Sequence, residues 1–337
     1  MIVDLRSDTV TKPSAGMLKA MLTAHVGDDV WGDDPTVAEL YRVMRELTGK
    51  EAALFFPSGT QSNLTAVLAH CGRGDEVILG RDAHIYTHEV GGAAALGGVS
   101  YCPLDNLPDG SLSQDAIQAS IRPDDIHYAR TALLCLENTI GGKVLPEEKA
   151  RQAVALARQA GLAVHLDGAR LWNASIASGT SLRALCEPFD TVSLCFSKGM
   201  GTPAGTVLVG SETLIRKAVR LRKMLGGGMR QTGILAAACL YALDNNFERL
   251  AEDHRNAERL AGSLRTIGQL SNVQQATNIV FVDVPESSRA ALSAFLAERE
   301  ILVSVGPTSR LVTNLGVTEQ GTEQVITAFR EFYAART

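Results

Sequence analysis

Short apolar runs alternate with longer amphipathic segments along the chain up to about residue 245. Six of the runs are predicted to be buried strands: Glu51–Pro57, Glu76–Leu79, Thr131–Glu137, Leu162–Asp167, Thr191–Phe196 and Thr206–Val209. Helices are predicted between several of them, at Thr60–Cys71 and most clearly at Glu147–Ala160. This alternation indicates an α/β fold with a largely parallel sheet covered by helices.

The pattern changes near Asp244–Asn246. A charged helix from Phe247 to about Ile267, short strands and a final helix follow, which is typical of a smaller α+β domain. The segment before Glu51 shows no sheet pattern. We therefore predict that residues 1–245 form an N-terminal segment and a large domain, and that residues 246–337 form a small C-terminal domain.

Composition and charge exclude several classes of protein. The chain has 337 residues, 45% of them hydrophobic, which is enough for more than one core. A net charge of −5 argues against nucleic acid and anionic lipid as partners. No apolar run reaches the roughly 18 residues of a membrane span, and no signal peptide is visible. Six scattered cysteines suggest neither a metal site nor a disulfide scaffold, so we expect a protein of the reduced cytoplasm.

Two chemically capable residues follow predicted strands. Asp167 ends the run LAVHLD, and Lys198 follows the run TVSLCF before a glycine-rich turn. A lone aspartate in such a place is more often a helix cap, and most lysines are solvated surface charges. Ligands of open α/β sheets, however, lie beyond the carboxyl ends of strands. A desolvated lysine that forms an imine and an acid that keeps a pyridine nitrogen protonated are the pair that pyridoxal phosphate requires.

A phosphate group needs hydrogen-bond donors, and Ser58, Gly59 and Thr60 lie between a predicted strand and a predicted helix. Glycine lets the backbone approach a ligand closely, and a helix N-terminus offers free N–H groups. An ordinary serine cap explains the same residues equally well. The segment matches neither the nucleotide P-loop nor the dinucleotide glycine fingerprint.

Histidines provide the candidate bases. His84 follows the second predicted strand, and His127 lies just before the strand Thr131–Glu137. Either can stack on a cofactor ring or move a proton, although a lone histidine is more often structural. His165 lies within an apolar strand and is expected in the core. No histidine pair has metal-ligand spacing, and the sequence leaves open whether the chain binds a structural cation.

Basic residues provide candidate anion contacts. Lys223 and Arg230 belong to a basic stretch around Gly226–Gly228, which is either a solvated helix face or a phosphate contact from a neighbouring subunit. Arg310 stands beside an apolar run near the end of the chain. An arginine there can hold a substrate carboxylate through two hydrogen bonds, and the alternative is an ordinary surface arginine.

Together these residues resemble the L-threonine aldolase family, within the aspartate aminotransferase-like (fold-type I) enzymes. The likeness spans residue 4 to about residue 315, and its N-terminal and triple-glycine motifs are quite specific. The Asp167–Lys198 pair alone fits many fold-type I enzymes. The matching motifs are Asp4–Thr11, Val26–Asp29, Gly32–Pro35, Ser58–Thr60, Leu166–Arg170, Ser197–Gly199, Leu221–Met224, Gly226–Gln231 and Arg310–Thr313.

The resemblance implies a large domain with a mostly parallel seven-stranded sheet and a smaller C-terminal α+β domain. It implies the retro-aldol cleavage of L-threonine or L-allo-threonine, a small amino-acid substrate, to glycine and acetaldehyde. It also implies a homo-oligomer that is at least a dimer, with a tetramer built as a dimer of dimers and shared active sites.

The resemblance further implies roles for individual residues. The pyridoxal 5′-phosphate contacts would be Ser58, Gly59, Thr60, His84, Asp167, Arg170, Lys198, Lys223 and Arg230. The substrate contacts would be Ser7, His84, His127, Arg170 and Arg310. The catalytic residues would be Lys198, His84 and His127, and either histidine, or a water, is a candidate for the base that takes the β-hydroxyl proton.

The sequence departs from the family pattern at two places. Trp31 stands where relatives usually have tyrosine, and Ile140–Gly141 stands where many have His–Asn. Two alternative functions are considered. The first is a β-eliminating fold-type I lyase. Release of acetaldehyde from allo-threonine, with no pyruvate or ammonia formed, would distinguish an aldolase from such a lyase. A protein that only binds an amino acid needs neither Lys198 nor Asp167.

Overall fold

The computed structural model describes residues 2–336, and its strands lie in three sheets. Ala52–Phe56, for example, is a run of apolar residues whose last four members are buried, as expected for a central strand. The strands are β1 (Val3–Asp4), β2 (Ala52–Phe56), β3 (Glu76–Gly80), β4 (Ser100–Leu104), β5 (Thr131–Glu137), β6 (Ala163–Gly168), β7 (Thr191–Cys195), β8 (Thr206–Gly210), β9 (Ser271–Ala276), β10 (Ile279–Asp283), β11 (Ile301–Leu302) and β12 (Thr308–Val312).

Fourteen α-helices cover the sheets within residues 2–336, and a short 3₁₀ helix spans Asp8–Val10. Side-chain caps begin many of them; in α2, Asp34 accepts the N–H groups of Thr36 and Val37. The helices are α1 (Ala15–Leu22), α2 (Pro35–Thr48), α3 (Gly59–His70), α4 (His84–Thr87), α5 (Gly92–Gly97), α6 (Gln114–Ser120), α7 (Glu147–Gln159), α8 (Leu171–Ser178), α9 (Leu182–Cys186), α10 (Glu212–Met224), α11 (Gly233–Asn245), α12 (Leu250–Leu264), α13 (Glu286–Ala297) and α14 (Glu319–Ala334).

The largest sheet has seven strands in the order β2-β8-β7-β6-β5-β3-β4. The pairs β7–β6, β6–β5, β5–β3 and β3–β4 are parallel, and only β8 runs against its two neighbours. The predicted α/β fold with a mostly parallel seven-stranded sheet is therefore confirmed. All six predicted strands belong to this sheet, and the seventh strand, β4, was missed because its residues are only partly buried.

The second hydrophobic core lies in the C-terminal part of the chain. Strands β9, β10 and β12 form an antiparallel sheet, and α12, α13 and α14 contribute buried side chains around it. Val3 and Leu5 also belong to this core, because β1 pairs with β11. The segment before Glu51 shows no sheet pattern in the sequence and yet contributes β1, because a two-residue strand is too short to leave a pattern. The domain boundary at 245/246 stays a prediction.

No helix within residues 2–336 is long and apolar enough to cross a membrane.

Candidate functional site

The two central residues of the site sit at the same edge of the large sheet. Strands β6 and β7 are parallel neighbours, with Asp167 opposite Ser193. Asp167 is the penultimate residue of β6, and Lys198 follows the end of β7 by three residues. The backbone oxygen of Lys198 accepts hydrogen bonds from Thr11 Oγ1 (3.0 Å) and from the N–H of Gly201 (2.9 Å), which fix the turn that carries the lysine.

A cavity of about 490 Å³ opens at this edge. Five of the predicted site residues line it together: Ser7, His84, Arg170, Lys198 and Arg310. The rest of its wall mixes polar and apolar side chains. These are Thr9, Asp82, His88, Asn106, Leu107, Gly110, Glu137, Ile140, Gly141, Lys143, Gln274, Ile279 and Phe281.

Asp167 is buried, does not line this cavity, and is held by two hydrogen bonds. Its Oδ1 accepts the N–H of Ala169 (3.0 Å), and its Oδ2 accepts the side-chain amide of Asn63 (2.8 Å). The same amide nitrogen donates to Glu89 Oε1 (2.9 Å). These bonds fix the direction in which the carboxylate of Asp167 faces.

His84 begins the short helix α4 and lies beside Asp167. Its Nδ1 is 2.8 Å from Glu89 Oε1, and its backbone N–H donates to Glu137 Oε2 (2.8 Å). The hydrogen bond to Glu89 raises the pKa of His84, with burial opposing it and the charge of Asp167 adding to it. The imidazole is therefore a stronger base than a free histidine, with Glu89 fixing its orientation.

A second carboxyl group, Glu137, ends the neighbouring strand β5 directly opposite Asp167. Burial, and then the charge of Asp167, raise the pKa of Glu137 to about 8. The site thus contains two neighbouring carboxyl groups. Glu137 retains its proton near neutral pH, and Asp167 is held in place by hydrogen bonds.

The cationic side of the cavity comes from Arg170 and Arg310. Arg170 precedes α8 and binds Asp8 with its Nε and Nη2, both at 2.7 Å. Burial raises the pKa of Asp8, but the charge and hydrogen bonds of Arg170 outweigh it, and the net shift is downward. Arg310, in β12, lines the cavity and is partly accessible to solvent. Partial burial and then the charge of Arg170 lower the pKa of Arg310.

The predicted phosphate residues lie at the N-terminus of α3. Ser58 Oγ caps the helix by accepting the N–H of Gln61 (3.2 Å), so the cap interpretation is correct for this hydroxyl. The Oγ1 of Thr206 is buried without a hydrogen-bond partner, 3.8 Å from where a Cβ on Gly59 would lie. An unsatisfied hydroxyl beside a helix N-terminus fits an anion that the protein itself does not supply.

The triple-glycine segment packs against the same helix end. A Cβ on Gly227 would lie 2.1 Å from Gln61 Oε1, so a side chain at this position would displace the amide of Gln61. Gln61 in turn donates to the backbone oxygen of Leu225 (2.9 Å). Lys223 and Arg230 flank the segment and are exposed, and Arg230 pairs with Asp28 at 3.0 Å. Neither of these two basic residues lines the cavity.

The structure does not bring every predicted residue to the cavity. His127 lies in an exposed loop, where its Nδ1 is 2.6 Å from Asp125, and it does not line the cavity of its own chain. Trp31 is 81% exposed and is also absent from the cavity wall. Ile140, the other departure from the family pattern, is buried and does line it.

Asn63, Glu89, Glu137 and Asp8 were not singled out from the sequence. Asn63 lies on the buried face of a helix, and Glu89 follows a one-turn helix, so neither carried a local pattern. Glu137 and Asp8 did carry a signal. Glu137 ends an apolar strand as Asp167 does, and Asp8 lies inside the N-terminal motif.

The comparison with known sequences identifies the family. The chain is 51% identical over 333 residues to the low specificity L-threonine aldolase of Escherichia coli K12, covering 99% of this chain and 100% of the relative. The chain belongs to the L-threonine aldolase family. The family model for beta-eliminating lyases also matches residues 4–287 of this L-threonine aldolase family member.

Further relatives agree with this assignment. A probable low-specificity L-threonine aldolase of Arabidopsis thaliana is 45% identical, with 98% of this chain and 97% of the relative covered. Among solved structures, the threonine aldolase of Leishmania major superposes with a TM-score of 0.84 at 24% identity, covering 98% of this chain and 99% of that chain. The structural similarity shows the same fold.

The cofactor of this L-threonine aldolase family member is pyridoxal 5′-phosphate, and the residues present fit it. Lys198, which would bind the aldehyde, and Asp167, which would keep the ring nitrogen protonated, lie at adjacent strand ends. The unsatisfied Thr206 hydroxyl lies beside Gly59, at the N-terminus of α3. Asn63, which binds Asp167, lies one helical turn further along α3, so one helix serves both ends of the site.

Within residues 2–336, one group of three potential metal ligands was found, formed by His84, Glu89 and Asp167 with ligand atoms within 4.8 Å of one another. Both carboxylates accept hydrogen bonds from the Asn63 amide. Because N–H groups point at the oxygens that a cation would need, hydrogen bonding accounts for this cluster.

Glu137 generates a pH-dependent prediction for the enzyme freed of cofactor. Its pKa rises from 4.5 to about 8 in the folded chain, so the folded state holds a proton that the unfolded chain releases. This contribution to stability is complete below 4.5 and is lost as the pH rises through about 8. As the pH rises from 4.5 to about 8, we expect the melting temperature of the parent to fall relative to that of Glu137→Gln.

Differential scanning fluorimetry across the pH window measures this difference. Glu258→Gln removes an exposed carboxyl from α12 and serves as the control, with a pH profile that follows the parent. A Glu137→Gln profile parallel to that of the parent would show that Glu137 titrates normally.

Proposed function

We propose that this chain cleaves L-threonine and L-allo-threonine to glycine and acetaldehyde, using pyridoxal phosphate bound at Lys198. The carrying observation is that one cavity contains Lys198 together with Ser7 and two arginines, Arg170 and Arg310. A lysine that holds an aldehyde and arginines that hold a carboxylate are the two groups that an α-amino acid enzyme of this type needs. The names of the related proteins support the same reaction.

When bound, pyridoxal phosphate accepts the electrons released as the bond between the Cα and Cβ atoms of the substrate breaks. The residues of the chain hold the reactants for this step. Asp167 would keep the proton on the ring nitrogen, and Ser58, Gly59 and Thr60 would donate hydrogen bonds to the phosphate. Lys223 and Arg230 would add positive charge to the phosphate site of a neighbouring subunit.

Arg310 and Arg170 bind the substrate carboxylate, and Ser7 assists. Asp8 occupies Nε and Nη2 of Arg170, which leaves Nη1 of that guanidinium for a ligand. Fixing the carboxylate orients the Cα–Cβ bond relative to the cofactor ring, and this orientation determines which bond breaks.

His84 is the first candidate for taking the proton from the substrate β-hydroxyl, directly or through water, and for stacking on the cofactor ring. With Nδ1–H donated to Glu89, the free Nε2 can accept a proton, and Glu89 stabilises the charge that results. His127 stays the second candidate. Because it does not line the cavity of its own chain, such a role requires a neighbouring subunit to contribute it.

We further propose that the chain forms a homo-oligomer, with a tetramer built as a dimer of dimers, in the cytoplasm. An apolar groove supports assembly: Leu18, Met21, Leu22, Ala24, Val26 and Ile234 line it, and Leu22 is 87% exposed. Contiguous exposed apolar surface of this kind usually marks an interaction site. Six free cysteines agree with a reducing compartment.

The first test concerns the reaction and the lysine. The purified chain should release acetaldehyde and glycine from allo-threonine, and Lys198→Ala should abolish both this release and the visible absorption band of the bound cofactor. Borohydride reduction followed by peptide mapping should place the cofactor on Lys198. Lys12→Ala, which removes an exposed lysine, should leave activity unchanged.

Two results would contradict the proposal in different ways. A 2-oxo acid and ammonia in place of acetaldehyde would identify a β-eliminating lyase. Cofactor on a lysine other than Lys198 would overturn the assignment of the lysine.

The second test concerns the carboxylate. Arg310→Ala should reduce kcat/KM roughly tenfold to over a hundredfold for every β-hydroxy amino acid, because a charge-assisted hydrogen bond contributes about 1.5–3 kcal/mol. The absorption band of the cofactor should stay nearly unchanged. Arg330→Ala, at an exposed arginine of α14, is the control. An Arg310→Ala variant that binds glycine normally and changes only the preference between threonine and allo-threonine would refute the carboxylate role.

The third test concerns assembly. Leu22→Glu places a charge in the apolar groove and should shift the enzyme towards smaller species, with loss of activity if active sites are shared. Light scattering after size-exclusion chromatography measures the mass. Ile2→Glu places the same charge at an exposed isoleucine outside the groove and should leave the mass unchanged. A parent enzyme that is a fully active monomer would rule out shared sites.

A further inference from the structure

A chain of hydrogen bonds, buried from Thr191 onward, runs from the far end of α3 to Asp167. His70 Nε2 lies 2.9 Å from Thr191 Oγ1, and that oxygen lies 2.9 Å from His165 Nδ1. His165 Nε2 lies 3.3 Å from Asn63 Oδ1, and Asn63 Nδ2 donates to Asp167 Oδ2 at 2.8 Å. The chain links three packed elements, because two of its residues lie on α3, two on β6 and one on β7.

Each hydrogen bond in this chain has only one consistent direction. Burial lowers the pKa of His165 to about 3 and that of His70 to about 4, so both rings are neutral and each has a single N–H. Because a carboxylate only accepts, the Asn63 amide must direct its NH₂ group at Asp167 and its oxygen at His165. His165 Nε2 is therefore the donor to Asn63.

The remaining directions follow from this one. With its proton on Nε2, His165 accepts at Nδ1 from the hydroxyl of Thr191, and that hydroxyl accepts from His70 Nε2. His165 is completely buried, so turning its ring would leave polar atoms without partners. The orientation of the Asn63 amide is thus fixed by His165 on β6, whose own ring is held by Thr191 on β7.

The amide of Asn63 serves two carboxylates at once. Its nitrogen donates to Asp167 Oδ2 at 2.8 Å and to Glu89 Oε1 at 2.9 Å, and Glu89 Oε1 also bonds His84 Nδ1 at 2.8 Å. The two carboxylates repel each other. Burial, and to a lesser extent the charge of Asp167, raises the pKa of Glu89, and the hydrogen bond from His84 opposes this rise. A single buried donor therefore holds Asp167, the acid that would face the ring nitrogen, and Glu89, the partner of His84, in one arrangement.

We propose that Asn63 is a positioning residue that sets the orientation of both Asp167 and the Glu89–His84 pair, and that His165 locks its amide. The inference rests on the proposed function, because it assumes that Asp167 faces the ring nitrogen of pyridoxal phosphate. Asn63 acts at the ring and not at the carboxylate-binding arginines. Its loss should therefore change cofactor binding and kcat, while the KM for the amino acid stays close to that of the parent.

The experiment compares Asn63→Asp and Asn63→Ala with the parent. The dissociation constant for pyridoxal phosphate, measured by reconstitution of the cofactor-free enzyme, should rise roughly tenfold or more, because a buried charge-assisted hydrogen bond is lost. The visible circular dichroism of the bound cofactor should weaken as the ring loses its fixed orientation. Thr65→Val, at a buried α3 residue whose hydroxyl has no partner, is the control and should match the parent in both.

A second pair of variants tests the lock and does not alter Asn63. His165→Gln keeps an N–H donor towards Asn63 and should bind cofactor much as the parent does. His165→Leu lacks the donor and should weaken binding several-fold, in the same direction as the Asn63 variants. This pair remains informative if the Asn63 variants do not fold.

Three outcomes would overturn the proposal. Asn63 variants with parental cofactor affinity and circular dichroism would show that the amide positions nothing. Equal losses in Thr65→Val would show that only packing matters, and equal behaviour of the two His165 variants would exclude the lock. Failure of the parent to bind pyridoxal phosphate would instead refute the proposed function.

Discussion

The buried ion pair between Asp8 and Arg170 sets the charge balance on which the cavity depends. Asp8 is completely buried and binds two nitrogens of Arg170, so removing either partner would leave an uncompensated charge, at a cost of about 3–5 kcal/mol. The side-chain amide of Asn278 also donates to Asp8 at 3.4 Å, so the pair joins the N-terminal segment to the loop after β6 and to the turn between β9 and β10. Arg310 has no salt-bridge partner within residues 2–336. Asp8 therefore neutralises one of the two arginines, and the charge of Arg310 remains available for a substrate carboxylate.

Much of this arrangement was predictable because it is local in sequence. Asp167 and Lys198 each follow an apolar strand, and parallel strands bring their carboxyl ends to one edge of a sheet. The adjacency of β6 and β7 was the only non-local assumption, and the structure confirms it. The placement of Ser7 and Arg310 near Lys198 came from the family resemblance, since they lie at opposite ends of the chain.

The remaining features depend on contacts that no local pattern encodes. The bond between Asn63 and Asp167 spans 104 positions, and it depends on which face of α3 meets the sheet. His127 precedes β5, at the end of that strand opposite to Glu137, and it lies in an exposed loop that does not line the cavity. Trp31 likewise departs from the family at an exposed position, whereas Ile140 departs inside the cavity wall. The substitution at Ile140 therefore alters the cavity itself.

Helix α3 connects the two ends of the cofactor site. Its first turn carries the predicted phosphate residues, and Asn63 lies four positions beyond Gly59, about 6 Å along the axis at a rise of roughly 1.5 Å per residue. The spacing between the phosphate end and the ring end is therefore built into one rigid element. Gly227 packs against the first turn of α3, and His165 holds Asn63 one turn later. Because both ends of this helical turn are fixed by separate parts of the chain, a shift of α3 would disturb the phosphate contacts and Asp167 together.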